Sequence, residues 1–330
     1  MINWQAVSDN SYCQVLAHGE RDGQPLKLQM DIQCQTQPKS QTYESEQASV
    51  VQKQFRVNGI PRTASGIVGE LNAVMFTAQD IELVLGSPSE RRRFMDILIS
   101  QVDRKYLRAL QKYLKVLYQR NHLLRMIREG RSREDELAFW DKELTSEGAY
   151  VTARRRDTVR TLADMVTPIH HDLTGDGEPL QPIYQPSVPL KPGDTVEQII
   201  AAFQNSLEQA KHQELARGMT TSGPHRDDVQ ILIGNMEASL YASRGQARTA
   251  ALALRLAEAR FLAQERKEEP VLLLDDVLSE LDAVRRSHVL EAASRYQQAL
   301  ITTTDLDVVD KAFLSTSAVY RVQAGTVEKA

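Results

Sequence analysis

The sequence is poor in cysteine. Its two thiols, Cys13 and Cys34 in 330 residues, fit neither a disulfide framework nor a zinc site, and they point to a reducing, cytoplasmic setting. It lacks an N-terminal apolar h-region, and no apolar run is long enough to cross a bilayer, which argues against export and membrane insertion. It also lacks an excess of positive charge. The net charge is −4, so there is no global attraction to nucleic acid, and any DNA contact must come from local basic patches. Three candidates are Arg91-Arg92-Arg93, Arg154-Arg155-Arg156 and Arg285-Arg286. Taken singly, each reads as a solvated helix face before it reads as a phosphate contact. The remainder, 42% apolar and 25% charged residues, is that of an ordinary globular chain with room for one large domain or two medium ones.

The first part reads as strands. Leu26, Leu28, Met30, Ile32 and Cys34 alternate with polar residues, the period of a half-buried strand, and Asp22-Gly23 before them is a hairpin signal. Residues 35–48 are rich in Gln, Ser and Thr and read as a loop. Further strands are expected near Val50 to Val57, ending at Asn58-Gly59, and at Ala73 to Phe76. Helical sequence follows. Ser87-Pro88-Ser89-Glu90 is a capping box with Pro at the first helical position. Leu107, Leu110, Leu114, Leu117, Asn121 and Leu124 form a heptad seam with one polar member. Gly130 to Arg133 suits a turn, and Leu137, Trp140, Leu144 and Val151 share the face of a second helix, giving an antiparallel pair with a structural core. Residues 174–194 read as a connection. A Thr195-Val196-Glu197-Gln198 box then opens a helix that ends near Gly218, and a strand through Val229, Ile231 and Ile233 turns at Gly234-Asn235.

Two later stretches carry the chemistry. Val271 to Leu274 run without a polar break, as in a parallel-sheet strand buried on both faces, and then meet Asp275 and Asp276. Ligands bind beyond the carboxyl ends of such strands. A carboxylate there can hold Mg²⁺ through its water shell, and a second can orient an attacking water. On this stretch alone, a buried strand ending in a solvated acidic turn is an equal reading. The other stretch, Ser243-Arg244-Gly245-Gln246, lies just before an Ala- and Leu-rich helix expected over 248–266. Leu252, Leu256, Ala259 and Ala263 form its stripe, which Leu254 and Phe261 widen. Unpaired N–H groups and the dipole at such a helix start favour an anion; an ordinary Ser-Gly loop is the plain alternative.

The order of Ser-x-Gly-Gln, helix, buried strand, Asp-Asp and Ser279-Glu280-Leu281-Asp282 resembles the signature motif, Walker B strand and D-loop of ATP-binding-cassette (ABC) ATPases. The wording Y-A-S-R-G-Q-A-R-T-A-A-L-A-L-R-L-A-E-A, P-V-L-L-L-D-D-V-L-S-E-L-D and T-S-G-P-H-R-D-D resembles the RecF family of DNA replication and repair proteins. G-S-P-S-E-R-R-R-F-M-D at 86–96 and L-Y-Q-R-N-H-L-L at 117–124 add to it. The resemblance implies an α/β fold: an ABC-type ATPase head with a mixed sheet and a helical second lobe. The head would take residues 1–85 and 176–330, and the lobe residues 86–175. The resemblance implies ATP-dependent homodimerisation, sequence-independent binding of single-stranded, gapped and duplex DNA, a slow DNA-dependent ATPase, mediator partners, and links to recombinase loading and the SOS response. Carried over residue by residue, Asp275 engages Mg²⁺ and Asp276 takes the place of the catalytic carboxylate. Ser243, Gly245 and Gln246 contact the γ-phosphate of the partner's ATP, and Asp282 belongs to the dimer contact. Gln79 matches the Q-loop, with a surface glutamine an equal reading, and Thr302 to Thr304 lie where related ATPases place a switch residue. His225 and Arg226 match a family motif, with a structural role as open as a functional one.

One departure stands against these matches. A P-loop needs G-x-x-x-x-G-K-[ST], yet none of the 16 glycines here is followed by lysine. The matched region starts almost at Met1-Ile2-Asn3-Trp4. The expectation is a chain without its first strand, P-loop and following helix, with part of the sheet uncovered at an edge and without hydrolysis of ATP on its own. A nucleotide-independent DNA-binding protein that keeps the fold but not the chemistry is therefore the alternative. A metal hydrolase built on His170-His171-Asp172 is disfavoured, because adjacent histidines on a helix point in different directions.

Overall fold

The computed structural model describes residues 12–21, 23–36, 49–175 and 177–330. Asp22, most of the 35–48 loop expectation and the first eleven residues lie outside these. The chain divides into two compact units, residues 1–71 and 72–330, which are described separately.

In the first unit, β1 (Tyr12–Arg21), β2 (Gln24–Thr36), β3 (Ser49–Val57) and β4 (Ile60–Arg62) form an antiparallel sheet in sequence order, followed by the short α1 (Ala64–Ile67). Leu26, Leu28 and Met30 are half-buried and Ile32 is buried, as their alternation requires. Asn58 (φ +49°) and Gly59 (φ +80°) both take left-handed backbone, which a two-residue hairpin turn needs to match the twist of its strands. The Asn58 side chain accepts from Lys27 N (2.7 Å) and fixes the turn to β2.

The second unit begins with β5 (Ala73–Thr77), a short α2 (Glu82–Leu85), α3 (Pro88–Val102), α4 (Arg104–Arg128) and α5 (Leu137–Thr174). β6 (Leu180–Gln185), α6 (Val196–Arg217), β7 (Asp228–Ile233), β8 (Met236–Glu237), the short α7 (Ala238–Tyr241) and α8 (Arg244–Arg266) follow. The chain closes with β9 (Val271–Asp275), α9 (Ala283–Ser294), β10 (Ala299–Thr302), α10 (Lys311–Ser315) and the hairpin β11 (Tyr320–Gln323)–β12 (Thr326–Lys329). β10, β9 and β5 make a parallel sheet in that order, and β6, β7 and β8 an antiparallel one. β6 falls inside the stretch read as a connection, because Pro182 and its polar neighbours hide a six-residue strand.

Among the capping boxes read from the sequence, one forms and one does not. Thr195 and Gln198 form both bonds of the predicted box, and α6 ends at Gly218 in left-handed backbone. Ser87 does cap α3 with Pro88 at the first position, but its hydroxyl pairs with Ser89 rather than with the helix backbone. The capping box expected there is not formed.

The seam of α4 is partly displaced. Its main buried line is Tyr106, Ala109, Tyr113, Val116, Arg120 and Leu123, one residue ahead of the expected seam; of that seam Leu124 is buried, Leu107, Leu110, Leu117 and Asn121 are half-buried, and Leu114 is 49% exposed. The line keeps the 3-4 spacing but contains tyrosines and an arginine whose partners are remote in sequence. Arg120 is held by Asp141 (2.6 Å), Glu214 (2.7 Å) and Thr220 (2.7 Å). Asn121 accepts from the backbone and hydroxyl of Thr220, both at 2.7 Å. Burying these charges is tolerated because each is paired and hydrogen-bonded. Where α4, α5 and α6 meet, Gly148 leaves no room: a Cβ there would lie 2.7 Å from Phe203 and 3.0 Å from Tyr113.

α8 is the core of this unit. Ala247, Ala250, Ala251, Leu252, Ala253, Leu254, Leu256, Ala257, Ala259, Phe261 and Leu262 are all buried, a wider face than the expected stripe with Leu254 and Phe261, while its member Ala263 is half-buried. A helix enclosed on nearly all sides must be apolar nearly all round, and its alanines let α5 and β5 approach closely.

Candidate nucleotide site

The parallel sheet brings Asp275 between two threonines. In register it lies opposite Thr77 of β5 and Thr302 of β10. The Thr302 hydroxyl donates to Asp275 Oδ1 (2.8 Å) and accepts from Asp276 N (3.1 Å). Asp276 N also points at Thr302 O (3.3 Å). One hydroxyl thus orients the Asp275 carboxylate and fixes the backbone of Asp276. Asp276 has φ +50°, left-handed backbone that Asp tolerates better than most residues but still at a cost. The turn throws its carboxylate into solvent, where Ser279 donates to its carbonyl (3.0 Å) and to Oδ1 (3.2 Å).

β9 is not buried on both faces as expected. Leu272 and Leu274 are 1% exposed, while Val271 and Leu273 are half-buried. On that second face Met75, Leu273 and Leu300 stand in one cross-strand row, with Met75 46% and Leu300 50% exposed.

The second motif is part of a helix rather than a loop before one. α8 starts four residues earlier than its apolar stripe suggests, with Ser243 as its N-cap. Ser243 Oγ accepts from Gln246 N (3.2 Å), and Gln246 Oε1 accepts from Ser243 N (2.9 Å). Gln246 is therefore engaged within its own helix, whereas the Ser243 hydroxyl proton and the first-turn N–H groups of Arg244 and Gly245 stay available to an anion. Nothing lies within 4 Å of where a Gly245 Cβ would stand, and its φ is not positive. Neither packing against the described residues nor backbone requires glycine there.

Two arginines, neither foreseen, fasten these pieces together. Arg248, one turn into α8, pairs with Glu280. Arg255 holds Asp80 (2.7 Å) and Glu258 (2.7 Å), and Asp80 in turn accepts from Thr77 N (2.8 Å). Burial raises the carboxyl pKa of Glu258 against the pull of Arg255. Gln79, exposed in the turn after β5, thereby sits on a segment tied to α8. The sequence signal was there: Arg255 and Glu258 are charged, three residues apart, and flanked by Leu252, Leu254 and Leu256. Asp282 caps α9, accepting from Arg285 N (2.9 Å), and that bond together with the Arg285 guanidinium lowers its pKa.

The arginine clusters face inward. Arg91 holds Asp228 through two bonds (2.8 and 2.9 Å), Arg92 reaches the Asp227 carbonyl, and Arg155 holds Asp96 and the Pro224 carbonyl. Arg154 pairs with Asp103, Arg156 with Asp157, Arg285 with Asp282, and Arg286 spans three carbonyls. Of the eight, only Arg93 is exposed without such a tie among the described residues. Neither the solvated-face reading nor a phosphate role describes the set. Most of it anchors the Thr220–Asp228 loop and the turn after β9. In that loop His225 Nδ1 meets Tyr113 Oη (2.6 Å), and Nε2 meets the Thr220 carbonyl (3.2 Å). Burial first, then the charges of Arg226, Arg92 and Arg120, push the His225 pKa down to about 4. These bonds tie the imidazole to α4 and to its own loop.

His170 is 3% exposed and His171 exposed, so the two diverge. No group of three or more His, Cys, Asp or Glu suited to a metal occurs among the described residues. The donors at the end of β9 are one or two hard carboxylates. They suit Mg²⁺, which keeps most of its water and phosphate ligands, and not an all-protein cage. An ATP phosphate likewise fits the open first turn of α8. No described helix is long and apolar enough to cross a membrane.

No family profile matches the chain, but individual relatives do. It is 41% identical over 314 residues to the DNA replication and repair protein RecF of Herpetosiphon aurantiacus, covering 91% of this chain and 80% of that one. It is 43% identical over 279 residues to that of Roseiflexus castenholzii, covering 83% and 71%. The solved recombination mediator protein RecF-ATP of the RecFOR pathway superposes with a TM-score of 0.82 at 30% identity, over 99% of this chain and 84% of that one. The α/β architecture is thus that of an ABC-type ATPase head with a helical lobe, and the chain belongs to the RecF family of DNA replication and repair proteins.

Proposed function

We propose that this protein binds ATP with Mg²⁺ at a site shared by two copies, and that the resulting homodimer engages DNA without sequence preference. It would act in the cytoplasm, in recombinational repair, beside recombination mediator proteins, with links to recombinase loading and the SOS response. The observation that carries the nucleotide reading is Gly245: a glycine in a helix's first turn with no demand from its own chain. Ser243, Gly245 and the N-terminus of α8 would receive the γ-phosphate presented by the other copy, with Gln246 holding Ser243 in place. Asp275, oriented by Thr302, would hold the metal's water shell, while Asp276 would take a proton from a water beside it. Gln79 would sense the same site through a segment that Asp80 and Arg255 fasten to α8, and Asp282 would lie at the edge of the dimer contact. Bound Mg²⁺ would supply charge neutralisation between phosphate oxygens.

A nucleotide-independent DNA-binding protein is favoured by one observation: no glycine in these 330 residues is followed by lysine. Calorimetric titration with ATP and Mg²⁺ separates the two readings. Saturable binding that weakens at least tenfold in Asp275→Ala supports the shared site. No heat in the wild type, with DNA binding intact, leaves the second reading.

A further inference from the structure

The inward-facing arginine clusters leave open which surface meets DNA. The geometry points to the outer ridge of α4 as a track for the phosphate backbone, an inference that rests on the DNA-binding reading above. α4 runs 25 residues from Arg104 to Arg128 and contains no Asp or Glu. Its buried line, Tyr106 to Leu123, faces α5 and α6. Opposite it, at helical spacing, stand Arg104, Arg108, Lys115, Tyr118, His122 and Arg125, all exposed. At 1.5 Å per residue the ridge is about 31 Å long, and duplex DNA presents a negative charge about every 1.7 Å of its axis.

Three features distinguish this ridge from an ordinary solvated face. Exposed helices usually alternate charge, and like charges at i,i+4 such as Arg104/Arg108 and Arg108/Lys112 each cost about 0.2–0.5 kcal/mol; this helix carries them with no acidic residue of its own. Arg108, Lys115 and Arg125 have no ion-pair partner among the described residues, whereas Lys112, on the flank, is held by Glu143 (2.7 Å) and Glu147 (2.9 Å). Tyr118 is 66% exposed in the middle of the ridge and offers a flat ring to a sugar or an unstacked base. An anionic lipid surface fits less well, because a membrane-surface helix inserts its apolar face, and that of α4 is buried in its own protein.

The test is fluorescence anisotropy of the whole protein on a labelled gapped duplex across a salt series. The triple variant Arg108→Gln/Lys115→Gln/Arg125→Gln keeps residues of similar helix propensity, so the fold is retained. At about 0.9 counterion per phosphate contact, the slope of log K against log salt should fall by about 2.7, with affinity at least tenfold weaker at about 0.1 M salt. A charge-matched control, Lys311→Gln/Arg321→Gln/Lys329→Gln on the exposed C-terminal segment, should bind as the wild type does. A ridge variant with wild-type slope and affinity, or one no weaker than the control, overturns the placement and leaves DNA binding standing. Wild-type protein that binds no DNA overturns the DNA-binding reading itself.

Discussion

Gly245→Ala is the substitution for which fold and function should move in opposite directions. The structure gives the added methyl open space and ordinary backbone. Alanine is therefore free to express its helical preference, worth at most about 1 kcal/mol in a helix interior and about half that in a first turn. For a chain of this size that raises the melting temperature by about 1–2 °C. The same methyl would hold a phosphate off the first-turn N–H groups. Loss of one charge-assisted hydrogen bond costs about 1.5–3 kcal/mol, a ten- to hundredfold loss in ATP-driven association. Melting followed by circular dichroism, paired with sedimentation velocity in ATP and Mg²⁺, reads both quantities on one sample. A variant that melts higher yet stays monomeric fits the reasoning. One that associates like the wild type shows that nothing approaches Gly245, and one that melts lower shows that the glycine is structural after all.

Three other outcomes follow from the geometry. Gly148→Ala should cost about 1–3 kcal/mol in denaturant unfolding, because its Cβ meets Phe203 and Tyr113 at 3.0 Å or less. His225 is held neutral, with its pKa lowered to about 4; a depressed pKa contributes stability above the unfolded value of about 6.5 that is lost as pH falls toward 4. Unfolding at pH 7.5 and 4.5 should show up to about 3 kcal/mol more acid sensitivity in wild type than in His225→Gln; equal sensitivity would show that the imidazole titrates normally. Asp276→Asn should leave stability within about 0.5 kcal/mol, since Asn also accepts left-handed backbone, while Asp276→Ala should lose about 1 kcal/mol; equal stabilities would remove the strain argument.

Local signals placed most elements. Thr195, Gly218 and Asn58-Gly59 each carried a chemistry that needs no distant partner, and each lies where its pattern requires, while the Val271–Asp275 strand forms where expected but is buried on one face only. Two of the failures share a cause: remote partners. The α4 seam was read through leucines because the tyrosines and Arg120 reach the core only with Asp141, Glu214 and Thr220 beside them. The arginine clusters looked solvated because Asp228, Asp96 and the loop carbonyls that hold them lie far along the chain. α8 appeared to start at its apolar stripe because its first turn is exposed. In the candidate site, both motifs were legible and Thr302 was named from the resemblance, but its bond to Asp275 became visible only when the sheet brought β9 and β10 into register, and the Arg248 and Arg255 ties only with the packing of α8.

The shared site is tested most directly by sedimentation velocity of the purified protein with and without ATP and Mg²⁺, alongside Ser243→Arg. A shared site requires a monomer without nucleotide, a dimer with it, and a variant that stays monomeric in both. A wild-type sedimentation coefficient unchanged by saturating ATP, or a Ser243→Arg protein that dimerises as the wild type does, would contradict it.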